Sequence, residues 1–148
     1  MDTPQAGIQR ALHFFEHMQP SDLALLGEVY CRNAKFKDPF NEVEGLAAIE
    51  KIFAHMFASM TAPRFVITQC VQQDAECFVA WDFLFSLPSL KQGAEQTIKG
   101  ASHLRFAQED DQWRMVLHRD YWDAAEELYE KFPVLGSLMR WLKRRVNS

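Results

Sequence analysis

Apolar positions recur with two different periods along this chain, and the period changes at Ala62-Pro63. Before that point they follow helical spacing, and after it they alternate as in strands. Ile8, Ala11, Leu12, Phe15 and Met18 predict an amphipathic first helix of about four turns. Thr3-Pro4 starts it, a hydroxyl cap followed by proline at the first helical position, and Gln19-Pro20 ends it. Ser21 is the expected cap of a short second helix carrying Leu23, Leu26 and Val29. An extended segment from about Cys31 to Lys37 closes on Asp38-Pro39, because proline disfavours helix at the residue before it. After Gly45, the set Ile49, Ile52, Phe53, Met56, Phe57 and Met60 predicts a third helix.

Four alternating runs follow: Arg64 to Gln72, Glu76 to Leu87, Gln96 to Ala107 and Gln112 to Trp122. Gln73-Asp74, the stretch from Pro88 to Glu95, and Glu109-Asp110-Asp111 supply turns, so the runs read as an antiparallel meander. Asp123 to Glu126 forms an acidic capping box that opens a C-terminal helix. Pro133 interrupts it, and a last helix runs to about Val146. With no repeat, linker or low-complexity segment, the chain reads as one domain.

Composition narrows the class. The 148 residues, 48% hydrophobic and 13% aromatic, suit a packed globule. Twelve Phe and four Trp would suit a cavity lined with rings, and a plain aromatic core equally well. No apolar run is long enough to span a membrane, and MDTPQAG has no basic region ahead of an apolar one, so the expected location is cytoplasmic. Cys31, Cys70 and Cys77 are odd in number and form no CxxC, so they read as small core or surface residues. The net charge is −4, yet from Lys131 onward there are five basic residues and no acids. The rest of the chain is therefore acidic, which argues against a nucleic-acid partner.

The element order, with Phe36-Lys37-Asp38-Pro39-Phe40 after the first strand, Gly45 before the third helix and His118-Arg119-Asp120-Tyr121-Trp122-Asp123 at the end of the last strand, resembles the SnoaL-like, nuclear-transport-factor-2-like family. That resemblance implies an α+β cone: a curved antiparallel sheet wrapped around three N-terminal helices, enclosing a pocket. It assigns residues 1–123 to the cone domain. Residues 124–148 become a C-terminal helical extension, packed on the same domain or on a dimer partner. The family hosts isomerases, cyclases, dehydratases, epoxide hydrolases and non-catalytic binders, so activity has to be argued from the site.

Asp38 stands where ketosteroid isomerases of this fold keep their catalytic carboxylate. The tyrosine and protonated aspartate that serve those enzymes as donors are matched here by Phe14 and Ser102. Phe14 cannot donate, so that mechanism is not expected. Asp120 is similar to the acidic residue that SnoaL-like cyclases use as acid/base, with His118 two residues earlier on the same strand face. On the third meander strand the even positions, Ile98, Gly100, Ser102, Leu104 and Phe106, form the apolar, inward set. On the last strand hydrophobicity would turn Trp113, Met115 and Leu117 inward, whereas the family pattern turns Val116, His118, Asp120 and Trp122 inward. Relatives commonly dimerise through the outer sheet face, which would bury the odd set as well.

The candidate catalytic residues are therefore Asp120, His118 and Asp38. The candidate ligand-lining residues are Phe14, Phe15, Ser102, Leu104, Val116 and Trp122, around a small, largely apolar molecule in a homodimeric protein that needs no cofactor. Each has a plainer reading. Asp-Pro after a strand is a common turn, Asp120 precedes a helix that it could cap, and His118 could be a satisfied polar residue. Asp82 faces inward or outward depending on register. His13 and His17 share a helix face but lack a third ligand, so no metal site is expected. The final helix, with Arg140, Lys143, Arg144 and Arg145, could lie on an acidic membrane surface, dock on a partner, or cover its own domain or a neighbouring subunit. A non-catalytic interaction module using the sheet face and this basic helix is the alternative reading.

Overall fold

The computed structural model describes residues 1–87 and 94–123, together with Arg144. The expected C-terminal helical extension, including its basic helix, lies outside the described residues apart from Arg144.

Helix α1 runs Pro4–His17, with the Thr3 hydroxyl accepting from the Ala6 N–H at 3.1 Å. Its buried stripe is Gly7, Ile8, Ala11 and Phe15. A 3-10 helix follows at Pro20–Glu28. Its start is fixed by Asp22, whose carboxylate accepts from the Gln19 N–H at 2.8 Å, so the cap is Gln19 rather than Ser21. Strand β1 is Tyr30–Lys37, β2 is Glu42–Glu44 and helix α2 is Leu46–Ser59. The meander comprises β3 (Thr61–Gln73), β4 (Glu76–Ser86), β5 (Gln96–Glu109) and β6 (Gln112–Tyr121). β2 was not foreseen, because three residues in the pattern exposed, half-buried, exposed give no periodic signal.

The strands form one six-stranded sheet in the order β2-β1-β6-β5-β4-β3. β1 runs parallel to β6, and the other neighbours are antiparallel. This is the expected α+β cone: a curved sheet with two α-helices and the 3-10 helix on its inner face. α1 approaches β6 very closely, since a Cβ on Gly7 would lie 2.7 Å from Trp113. Asp2 and Arg10 clamp that crossing. The Arg10 guanidinium bonds Asp2 at 2.9 Å and the Trp113 carbonyl at 3.0 Å, and Asp2 accepts from the Trp113 N–H at 2.7 Å.

Strand parity settles the faces. On β4 the odd residues Cys77, Val79, Trp81, Phe83 and Phe85 are buried. Asp82 therefore points outward, 3.5 Å from Lys99 on β5. On β5 the even positions are inside, as expected. On β6 the pairing steps from Arg105↔Leu117 to Phe106↔Met115 and skips Val116. That β-bulge reverses parity, so Met115 below it and His118 above it are both buried. The three cysteines are free: Cys31 and Cys77 are buried and Cys70 is exposed. Among the described residues no helix is long and apolar enough to cross a membrane.

Candidate functional site

The inner faces of β4, β5 and β6, the end of β1 and helix α2 enclose a cavity of about 150 Å³. Its walls are aromatic: Phe36, Phe40, Phe53, Phe65, Trp81, Phe83, Phe85 and Trp122 all line it. Asp38, Asn41, His55, Ser59 and Asp120 supply its polar edge. A smaller void of about 30 Å³ lies on the α1 side, bounded by Leu12, Phe15, Leu104, Ser102 and His118. Phe53, Phe65, Trp81 and Asp120 are walls of both.

A chain of hydrogen bonds crosses the junction. The Trp81 indole N–H donates to Ser102 Oγ at 2.8 Å, and Ser102 donates to Asp120 Oδ1 at 2.5 Å. His118 Nε2 meets the same Oδ1 at 2.7 Å, and His118 Nδ1 meets the Tyr30 hydroxyl at 2.5 Å. Directions follow from donor capacity. An indole N–H only donates, so Ser102 accepts there and spends its own hydrogen on Asp120. Oδ1 is therefore an acceptor, and any proton on Asp120 sits on Oδ2. That oxygen has no hydrogen-bond partner among the described residues, while Asp120 lines the cavity.

With Asp120 ionised, His118 donates from Nε2 and accepts the Tyr30 hydroxyl at Nδ1. If the imidazole gains a proton, the same hydroxyl can rotate and accept instead. Tyr30 is completely buried, and burial, reinforced by the negative charge of Asp120, holds its phenol well above the usual range. It remains a neutral partner in either case. Phe15 and Phe36 pack edge-on against the His118 ring at 5.3 and 4.7 Å, which fixes its plane.

Asp38 sits differently. Its Oδ1 accepts from the Phe40 and Asn41 backbone N–H groups at 2.8 and 2.7 Å, and the Asn41 side-chain amide bonds both oxygens at 3.0 and 3.1 Å. Burial pushes its carboxyl above the ordinary range. The Asn41 side chain and the Phe40 N–H oppose that rise, and the charge of Asp120 adds to it. Asp38 thus faces the cavity with much of its acceptor capacity committed to its own turn.

The structure brings Asp38, Asp120 and Trp122 to the larger cavity, and Phe15, Ser102, Leu104 and His118 to the smaller one. It does not bring Phe14 or Val116 to either. Phe14 is one residue, roughly 100° of helix, off the buried stripe that ends in Phe15. Val116 is the extra residue of the β6 bulge. Tyr30, Asn41, His55 and Trp81 were missed by the sequence reading. Alternation on β4 was the available signal for Trp81, since it shares a face with Phe83 and Phe85. Among the described residues no cluster of three or more His, Cys, Asp or Glu could hold a metal ion.

Comparison with solved structures gives the same architecture. An NTF2-like protein of unknown function from Burkholderia pseudomallei superposes with a TM-score of 0.68 at 14% identity, covering 87% of this chain and 97% of that one. An LEH-like epoxide hydrolase from Mycobacterium tuberculosis gives 0.67 at 12% identity, covering 91% and 95%. A protein of ketosteroid isomerase-like fold from Catenulispora acidiphila, solved with trimethylamine, gives 0.63 at 14% identity, covering 78% and 84%. No curated protein matches the chain. At these identities the likeness carries the fold alone. The model of the SnoaL-like domain family, however, matches residues 11–116, most of the chain, and the protein belongs to that family.

Proposed function

We propose that this protein binds a small, largely apolar molecule in the aromatic cavity and moves a proton on it with Asp120. The observation that carries this reading is the division of labour within one carboxylate. Oδ1 is held by Ser102 and His118, while Oδ2, on a side chain that lines the cavity, has no hydrogen-bond partner among the described residues. A general acid/base needs an oriented oxygen within reach of the substrate and a neighbour that stabilises both protonation states. In the forward step Oδ2 takes a proton from the substrate, and in the return step it gives the proton back at another atom. That is the balance of an isomerase, cyclase or dehydratase, with no organic cofactor or metal in the scheme. His118 orients Asp120, and Asp38 is a polar contact at the rim.

An epoxide hydrolase and a trimethylamine complex on one fold have no ligand chemistry in common, so the fold does not select the substrate. The test is a thermal-shift screen against apolar carbonyl compounds, sterols, polyketide fragments and fatty acids, followed by turnover assays on the hits. A ligand that binds only the native state raises Tm by mass action. Asp120→Asn should abolish turnover while leaving the fold intact, and unchanged turnover would remove Asp120 from its role.

The protein is further read as a cytoplasmic homodimer. Three unbridged cysteines support the compartment. The outer sheet face supports the dimer, because Val66, Val71, Phe78 and Tyr121 stand between 41% and 59% exposed on it. The same face is what a non-catalytic interaction module would use.

A further inference from the structure

The charge of the cavity goes further than its shape. Among its described lining residues eight are aromatic, and two of the three ionisable ones, Asp38 and Asp120, are acids. The third, His55, forms no ion pair or hydrogen bond with either acid. No Lys or Arg is among the described lining residues.

Several acids elsewhere have an Arg or Lys beside them. Asp2 pairs with Arg10, Asp82 with Lys99, Glu76 with His103 and Arg105, and Glu109 with Arg114. Asp38 and Asp120 share one aromatic enclosure with no Lys or Arg among its described lining. Among the described residues Asp120 meets only His118 and Ser102, and Asp38 meets Asn41 and the backbone of its own turn. Burial first, with the charge of Asp120 added, disfavours ionisation of Asp38. A carboxylate taken out of water is costly unless something positive joins it. The face of an aromatic ring carries a negative quadrupole that attracts a cation. Phe40 and Trp122 meet edge to face at 5.4 Å, as do Phe65 and Trp81 at 5.4 Å, and all four line the cavity. An anionic ligand would meet two acids and gain nothing from the rings. A neutral one would use the walls and gain nothing from the acids. A cation uses both.

We propose that the molecule this cavity takes is an organic cation, an amine or quaternary ammonium with an apolar body, whose charge lies between Asp38 and Asp120 among the rings. The proposal rests on the small-molecule reading above and narrows it to a ligand class.

The test uses two probes of one shape and different charge: benzyltrimethylammonium and its uncharged carbon isostere, neopentylbenzene. Affinities are measured by tryptophan fluorescence and calorimetry on the full chain. The expected result is binding of the cation on the order of tenfold tighter than the isostere. Asp38→Asn and Asp120→Asn, each checked for native circular dichroism, should shrink that ratio while leaving the isostere's affinity in place. Equal affinities would overturn the cation and leave the apolar cavity standing. A cation preference unchanged in both variants would place its site elsewhere and overturn the proposal. Failure of both compounds to bind would overturn the proposal together with the cavity reading. Because the first comparison is made on the wild-type protein, it does not depend on either variant folding.

Discussion

Gly100→Ala is a one-carbon change that should damage both the fold and the site. Trp81 on β4 lies directly opposite Gly100 on β5. A Cβ on Gly100 would overlap Trp81 Cη2 and sit 2.7 Å from Cζ2 and 2.8 Å from Cζ3. Three contacts this close on one ring cannot be relieved by a small tilt. Trp81 is only 6% exposed, with Phe65 against its edge, so the indole has little room to swing away. Overpacking of this kind costs about 1–3 kcal/mol. Moving the ring also breaks the bond from the indole N–H to Ser102, leaving a buried donor unpaired at a cost of about 1–3 kcal/mol more. The two terms share one displacement and do not add fully, so about 2–4 kcal/mol is expected. With a urea slope of about 2 kcal/mol/M, the unfolding midpoint should fall by roughly 1–2 M. The control is Trp81→Phe, whose single ring stops short of the clashing atoms. Against that background the alanine should cost at least about 1 kcal/mol less, read as the coupling of a double-mutant cycle. A midpoint within about 0.2 M of wild type, or an undiminished penalty in the Trp81→Phe background, would refute the argument.

Three further outcomes are expected. Ser102→Ala removes a donor from Asp120 Oδ1 and strands the Trp81 N–H, so urea unfolding should show a loss of about 1–3 kcal/mol, and turnover on any substrate found should drop as well. The Asp2 carboxyl is held down at about 2, chiefly by its bond to Arg10 and next by the Trp113 N–H. A lowered acid contributes stability that is present above about pH 4 and lost as pH falls toward about 2. Asp2→Asn should therefore cost roughly 1 kcal/mol at pH 7, after discounting for solvent screening, and almost nothing near pH 2, as acid titration of the urea midpoint would show. If the homodimer proposed above forms through the outer sheet face, Phe78→Glu, which puts a charge on a side chain 53% exposed there, should shift sedimentation from dimer to monomer without lowering the melting temperature of the monomer. A dimer that survives the change would move the interface elsewhere.

Much of the fold was legible because the periods were. The helices α1 and α2 appear where Ile8, Ala11 and Phe15, and then Ile49 and Phe53, recur at helical spacing. The four meander strands appear where the spacing becomes two. What was lost has local causes. β2 is too short to carry a pattern. Phe14 was chosen by its match to a family position, yet helix geometry turns it away from the stripe it adjoins. Asp82 could not be oriented until the register of β4 on β5 was known, because its neighbours are apolar on both sides.

The site was half legible for a reason that is specific to β6. Two criteria disagreed there: hydrophobicity favoured Met115 inside, and the family pattern favoured His118 and Asp120. Each is right over its own part of the strand, because the bulge at Val116 inserts one residue and flips the alternation between them. A regular strand could satisfy only one criterion. With Met115 inward it would send Asp120 to the outer face, away from the cavity. With His118 and Asp120 inward it would take Met115, fully buried here, out of the core. Nothing in a valine between two apolar residues announces a bulge, so the conflict itself was the signal. Two well-founded assignments of opposite parity on one strand imply an extra residue between them. The network inherits this dependence. Ser102 meets Asp120 because Leu104 pairs with His118 above the bulge, and Trp81 meets Ser102 because Gly100 leaves the indole room to lie across β5. The acid/base candidate could be named from sequence, but the groups that decide which of its oxygens holds a proton are set by two strand registers and one irregularity.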